Sequence, residues 1–312
     1  MAHANATVRA VVTDAGRLVI RDLPRPEPGP GEALVRVEAI SLNRGEVRSA
    51  LTAANGWRPG WDFAGVVAEA AADGSGPAAG TRVVGLAAAL GGWSELVAAS
   101  PILLAPLPDA VSFEAAATLP VAGLTARGAL AKGPQHPGRR VLVTGASGGV
   151  GVFAIQLAAI SGAEVTAAIR NPANEALARR LGAAHVAIGE TLAADIGPFD
   201  LILDSVGGRS LGAALGLLAR GGTCVTLGAS AGAVTEFDTA GFRVGGTSLY
   251  GFVGNYELQL QPPSVGLAEL AALAAEGKLQ PVIERRAPIA EIAKVAGELI
   301  DRRFAGKAVL SF

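Results

Sequence analysis

The sequence predicts an α/β protein: a β-rich part, then a doubly wound parallel sheet, then a tail that returns to the first part. Three observations carry this. Short apolar segments separated by turn clusters fill the first hundred residues, the spacing of a small barrel or sandwich. From residue 139 strand-like apolar runs alternate with helix-length segments, the pattern of parallel βαβ units. The stretch after residue 254 holds two helical segments and one strand, too little for a core of its own.

The elements follow in order. Residues 8–12 and 18–21 are strands split by Asp14-Ala15-Gly16, a turn signal. Four prolines within residues 24–31 remove backbone donors and make a fixed extended connector. Residues 32–40 alternate polar and apolar, the period of a half-buried strand. Residues 63–70 and 81–86 are strands around the loop Asp73-Gly74-Ser75-Gly76-Pro77. Ser112 caps a helix starting over 112–117. Six further strands are expected at 140–144, 164–169, 186–188, 200–204, 223–227 and 247–252, with helices at 150–161, 174–181 and 210–219. The tail reads as helices at 268–276 and 289–300 and a strand at 307–312.

Composition excludes several function classes. The 312 residues carry a formal net charge of −1, whereas a nucleic-acid or anionic-lipid surface needs a basic excess. One cysteine rules out a disulfide framework and a thiolate-rich metal site. The longest uncharged run, 141–163, holds Gly145, Gly148, Gly149 and Gly151 with Thr144, Ser147 and Gln156; it reads as strand, turn and helix, not as a membrane span. No signal peptide is evident, and a cytoplasmic protein is expected.

The sharpest motif is Val141-Leu142-Val143-Thr144-Gly145-Ala146-Ser147-Gly148-Gly149-Val150-Gly151. Ala146, Gly148 and Gly151 match G-x-G-x-x-G with alanine first. A small first residue permits the tight turn, Gly148 lets backbone approach a pyrophosphate, and Gly151 lets a helix pack on its strand. Residues 146–151 (Ala146, Ser147, Gly148, Gly149, Val150, Gly151) are thus a candidate phosphate cradle at a helix N-terminus. NAD enzymes carry an acid about 20 residues on, for the ribose 2′-OH. Here residues 165–174 contain no acid, but Arg170 and Asn171 stand at the strand's end. An arginine there suits a 2′-phosphate, so the cofactor is read as NADPH.

Several segments together resemble a known family. They are Ile40-Ser41-Leu42-Asn43-Arg44-Gly45-Glu46, Gly60-Trp61-Asp62-Phe63-Ala64-Gly65, Gly91-Gly92-Trp93-Ser94-Glu95-Leu96-Val97, Gly123-Leu124-Thr125-Ala126, the glycine turn, Asp204-Ser205-Val206-Gly207-Gly208, and Gly306-Lys307-Ala308-Val309-Leu310. In this order they resemble the zinc-independent, ζ-crystallin-like quinone oxidoreductase branch of the medium-chain dehydrogenase/reductases. The resemblance implies a GroES-like catalytic domain from residues 1–121, with 255–312 returning to it. It implies an NADPH-binding Rossmann domain over 122–254, with the active cleft at their junction. It implies NADPH-dependent reduction of a small-molecule quinone or of a C=C bond conjugated to a carbonyl, and a homodimer formed through the strand near 248–252.

It also implies site residues. Asn43 corresponds to an asparagine beside the nicotinamide, Thr125 to a threonine on the nicotinamide side, and Trp93 to an aromatic at the substrate mouth. Leu227, Gly228, Phe252 and Val253 end strands whose carboxyl ends face a ligand. The chain departs from its relatives in having no tyrosine between Gly45 and Pro59. Arg48 and Trp57 stand there instead, as candidates for enolate stabilisation and for lining a cleft, and Tyr256 is a further substrate candidate. Bound water and a ribose-hydroxyl relay then remain as proton sources. Gly189 replaces another frequent tyrosine. Cys224 and the scattered His3, His136 and His185 are a poor set for zinc, so no metal is expected. Competing readings are a dedicated enoyl reductase of a biosynthetic pathway, an NADPH-binding protein with little turnover, and a redox-neutral enzyme.

Overall fold

The computed structural model describes residues 7–243 and 245–312. The chain divides into two compact units: Met1–Leu124 with Leu258–Phe312, and Thr125–Glu257.

The first unit contains β1 (Thr7–Asp14), β2 (Arg17–Pro24), β3 (Ala33–Ser41), α1 (Arg44–Ala50), β4 (Asp62–Glu69), β5 (Arg82–Leu86), β6 (Leu96–Ala99), β7 (Leu104–Pro106) and α2 (Phe113–Ala117), and α3 (Pro120–Leu130) begins in it. β1 and β2 form an antiparallel hairpin closed by Ala15 and Gly16, at φ 49° and 72°. Two residues with positive φ give the turn whose twist matches paired strands. Ser112 Oγ accepts from Ala115 N at 3.1 Å and caps α2 as expected.

The second unit holds β8 (Arg140–Thr144), α4 (Gly149–Ile160), β9 (Glu164–Ile169), α5 (Glu175–Arg180), β10 (His185–Ile188), β11 (Phe199–Asp204), α6 (Gly208–Leu215), β12 (Leu218–Thr226), α7 (Thr239–Phe242) and β13 (Ser248–Gly251). After α8 (Gly254–Leu260) the chain rejoins the first unit with α9 (Pro263–Ala275), β14 (Ile283–Pro288), α10 (Ile292–Ile300) and β15 (Lys307–Ser311).

The tail returns by strand pairing. β15 lies antiparallel to β3, Leu310 opposite Ile40, in a sheet ordered β14-β15-β3-β4-β5-β7. Leu310 joins Ile40, Leu42, Phe63 and Val295 in one buried core. Without β15 the β3 edge would expose unpaired backbone groups, so the tail completes the sheet. The sequence reading missed β6 and β7, which are short, β14, whose Ile-Glu-Arg-Arg-Ala-Pro carries charge at half its positions, and α1, whose seven residues hold little apolar periodicity.

The second unit is a parallel sheet in the order β10-β9-β8-β11-β12-β13. The chain runs outward from β8 to β10, then returns to β11 beside β8 and runs outward the other way. The strand order therefore reverses between β8 and β11, the position where doubly wound sheets bind ligands at their carboxyl ends. One element differs from expectation. The helix foreseen over 210–219 ends at Leu215, because Leu218 already pairs with Phe199 and opens β12.

Candidate functional site

In the second unit the cofactor cradle is built by backbone. β8 ends at Thr144, and Gly145 turns the chain at φ 61°. Ala146 N donates to Ala168 O on β9 at 3.1 Å, and Gly148 N to Gly145 O at 2.9 Å. A Cβ on Gly151 would lie 2.6 Å from Ala146 Cα and from Gly145 O, so only glycine lets α4 pack against the turn. Gly148 is the N-cap of α4 and has no side chain to accept from the helix. The first N–H groups of a helix lack helical partners. Those of Gly149, Val150 and Gly151 are therefore available to an anion, with the helix dipole behind them. Ala146 is buried, Ser147 and Val150 half-buried, and Gly148 exposed. These residues fit a pyrophosphate.

Arg170 follows directly on β9 and is exposed, two residues beyond the Ala168 that receives the turn's hydrogen bond. It thus stands at the same end of the sheet as the cradle. Asn171 Oδ1 accepts from Ala173 N at 3.1 Å and caps the short turn Pro172–Asn174, which leaves its amide N–H groups for a ligand. Leu227 and Gly228 follow β12, and a Cβ on Gly228 would stand 3.1 Å from Ser205 O. Thr125 is half-buried on α3. Val253 is 61% exposed, but Phe252 is 7% exposed with its ring against Gly128. The Phe252 side chain, just beyond the end of β13, is packed inward. Tyr256, on α8, is 54% exposed.

In the first unit the candidate residue Asn43 belongs to a buried polar cluster. Its Nδ2 donates to Asp62 Oδ2 at 2.8 Å and to Glu46 Oε1 at 3.0 Å. Its Oδ1 accepts from Lys307 Nζ at 2.6 Å. The Lys307 ammonium also donates to Leu42 O at 3.0 Å and Asp62 Oδ2 at 3.2 Å, which uses all three of its protons. Asp62 Oδ1 accepts from Val121 N, and Glu46 accepts from Asn43 N and Trp61 N. Glu46, Asp62 and Lys307 are essentially without exposure. Burial and the neighbouring Asp62 charge push the Glu46 carboxyl up to about 8, against the opposing pull of Lys307 and Asn43. Both amide protons of Asn43 are committed, so one lone pair on Oδ1 is what it can offer a ligand.

The sequence reading missed this cluster around Asn43. Its signal was faint: a charged residue opening each of β4 and β15, followed by an apolar run, and an acid in the first turn of a short helix. The other first-unit candidates disperse. Arg48 is exposed in the last turn of α1, and does not pair with the buried Glu46. Trp57 is half-buried against the core, its backbone bonded to Thr13. Trp93 is 1% exposed. It packs inside the core against Gly60, where the sequence reading places an aromatic at a substrate mouth.

The Cys and His side chains lie apart from one another among the described residues. Cys224 is fully buried on β12, where burial raises its thiol pKa and disfavours the thiolate a metal needs. His136 is exposed, and His185 is exposed beside Glu164 at 3.2 Å. His3 lies outside the described residues. Among the described residues no group of three His, Cys, Asp or Glu side chains is placed to hold an ion. No helix among them is long and apolar enough to cross a membrane.

Comparison with known proteins gives concordant matches. Residues 29–109 match the alcohol dehydrogenase GroES-like domain, and residues 149–267 the family described as zinc-binding dehydrogenase. The chain is 31% identical to a quinone oxidoreductase of Pseudomonas aeruginosa, over 94% of this chain and 95% of that one. It is 35% identical to the spectinabilin polyketide synthase system protein NorB of Streptomyces orinoci, over 96% of this chain but only 14% of that protein. Among solved structures, a mycobacterial protein complexed with NADPH superposes with a TM-score of 0.84 at 27% identity, over 98% of this chain and 100% of that one.

Proposed function

This chain belongs to the quinone oxidoreductase branch of the medium-chain dehydrogenase/reductase superfamily, and on that premise we propose that it is a zinc-independent, NADPH-dependent reductase. Its substrate is a quinone or the C=C bond of an α,β-unsaturated carbonyl compound. One observation carries the reading: the glycine turn opens α4 without a capping side chain, and the neighbouring strand ends in Arg170 rather than an acid. NADPH supplies a hydride to an electron-poor carbon.

The residues divide the remaining work. The N–H groups of Gly149, Val150 and Gly151 hold the pyrophosphate, with Gly148 giving it close access. Arg170 and the Asn171 amide hold the 2′-phosphate. Thr125, Leu227, Gly228 and the backbone at 252–253 border the nicotinamide half. Asn43 positions cofactor or substrate through the free lone pair of Oδ1. Arg48 stabilises negative charge on the reduced substrate, and Trp57 and Tyr256 contact its apolar body. The protein acts as a cytoplasmic homodimer.

The test is NADPH consumption with a 1,4-quinone, a 2-alkenal, a cyclic enone and an enoyl thioester. Turnover of the quinone or the enones supports the reading and names the acceptor class. The match to a polyketide synthase protein favours one second reading, a dedicated enoyl reductase, for which the thioester alone is turned over. Tight NADPH binding with no turnover of any acceptor overturns both.

A further inference from the structure

A second buried polar network lies directly beneath the glycine turn. Asp204, at the end of β11, has no exposure, and no cation is among its partners here. Its Oδ1 accepts from Thr144 Oγ1 at 2.7 Å and its Oδ2 from Gly207 N at 2.8 Å. The Thr144 hydroxyl in turn accepts from Ser205 N at 3.2 Å. Ser205 Oγ donates to Thr144 O, the carbonyl just before Gly145, at 2.9 Å. On its other side the segment 204–206 holds the loop after β12: Leu227 N donates to Asp204 O at 2.8 Å, Ser230 N to Ser205 O at 3.2 Å and Ala231 N to Val206 O at 2.8 Å. Three strand ends, those of β8, β11 and β12, therefore meet at the segment 204–206: β8 through the Asp204 carboxylate and the Ser205 hydroxyl, the loop after β12 through the backbone carbonyls.

Such an arrangement is costly unless something depends on it. A buried carboxylate without a cation is tolerated only through its hydrogen bonds, and burial pushes the Asp204 pKa upward. A core of the same shape could be apolar. The bonds do fix one thing. With Thr144 held from its side chain by Asp204 and from its carbonyl by Ser205, the residue preceding the glycine turn has one position and one rotamer. Gly145 has no side chain with which to set its own angle.

We propose that Thr144, Asp204 and Ser205 are positioning residues that pre-set the glycine turn for the cofactor's pyrophosphate. The proposal rests on the turn being the cofactor cradle, as argued above. None of the three needs to touch the cofactor. They act through the backbone of residues 144–149, and each removes motion that binding would otherwise have to arrest.

The test compares two ligands by calorimetric titration: NADPH, which contains the pyrophosphate, and adenosine 2′-monophosphate, which has no phosphate at the 5′ position. Thr144→Val keeps the shape and removes the hydroxyl; the expected rise in Kd is about tenfold for NADPH and under about twofold for the monophosphate. Thr144→Ser restores the hydroxyl and returns NADPH affinity to within about threefold of the parent protein. Ser205→Ala, at a half-buried position with little risk to folding, produces a smaller loss with the same selectivity, and decides the matter if Thr144→Val does not fold. Equal losses for the two ligands would mark a merely structural role and overturn the proposal, as would no loss in either variant. Failure of the parent protein to bind NADPH at all is a separate result, and counts against the cradle itself.

Discussion

The glycine turn of the second unit and the Asn43 cluster of the first unit are built in opposite ways. The turn is made of backbone from one short segment, residues 144–151, and its fitness lies in what is missing: Gly151 has no Cβ to collide with Ala146. The cluster is made of side chains drawn from three distant places, with Lys307 reaching Asp62 across 245 positions. The turn is open and neutral, ready for an anion; the cluster is closed, charged and almost saturated with internal hydrogen bonds. A backbone site depends on its glycines and on the residues that hold its backbone in place, not on side chains that face the ligand. A side-chain site depends on each member, because removing one leaves the others buried and unpaired.

The largest expected effect follows from that dependence. Lys307→Met leaves Asp62 and Glu46 without their only cation in the cluster, and a loss of about 3–5 kcal/mol in unfolding free energy is expected, read from the urea midpoint. A loss below about 1 kcal/mol, on the order of a surface ion pair, would show that the cluster does not depend on Lys307 as a buried charge partner. Arg170→Ala comes next, and probes the open site instead. It should weaken NADPH binding by about 1.5–3 kcal/mol, the range of a charge-assisted hydrogen bond, and leave NADH binding and folding stability unchanged. Equal weakening of both cofactors would remove Arg170 from 2′-phosphate recognition.

The third prediction concerns pH. Glu46 is raised from the ordinary 4.5 to about 8 in the fold. Between those values the folded chain holds a proton that the unfolded chain has lost, so stability falls as pH rises through this window. The contribution is fully present below about 4.5 and gone above about 8. Glu46→Gln, which does not titrate, should flatten this part of the stability–pH curve. An unchanged slope would place the proton elsewhere. The smallest effect is a local one: Ser112→Ala removes the cap on Ala115 N and should cost about 1 kcal/mol, with no change in cofactor affinity.

The contrast also explains what was legible in the sequence. β8 and β9 emerge at 140–144 and 164–169 as expected, because a buried parallel strand is a continuous apolar run with sharp ends. The cradle residues are legible for the same reason: their spacing within one segment is the geometry. Neither Phe252 nor Trp93 could be placed by motif position alone. Each falls where a ligand contact was expected, yet packing turns both rings into the core. Lys307 was visible only as one lysine in an apolar strand, since nothing local says that β15 lies against β3. The Asp204 network was hidden likewise: three ordinary polar residues acquire a shared function only when the parallel order sets β11 beside β8.

The most direct measurement is the initial rate of cofactor oxidation with a 1,4-quinone, taken with NADPH and with NADH at equal concentrations. Steady oxidation of NADPH is expected, with NADH at least about tenfold slower, as for one lost charge-assisted contact at Arg170. Equal rates with the two cofactors, or oxidation of NADH alone, would contradict it.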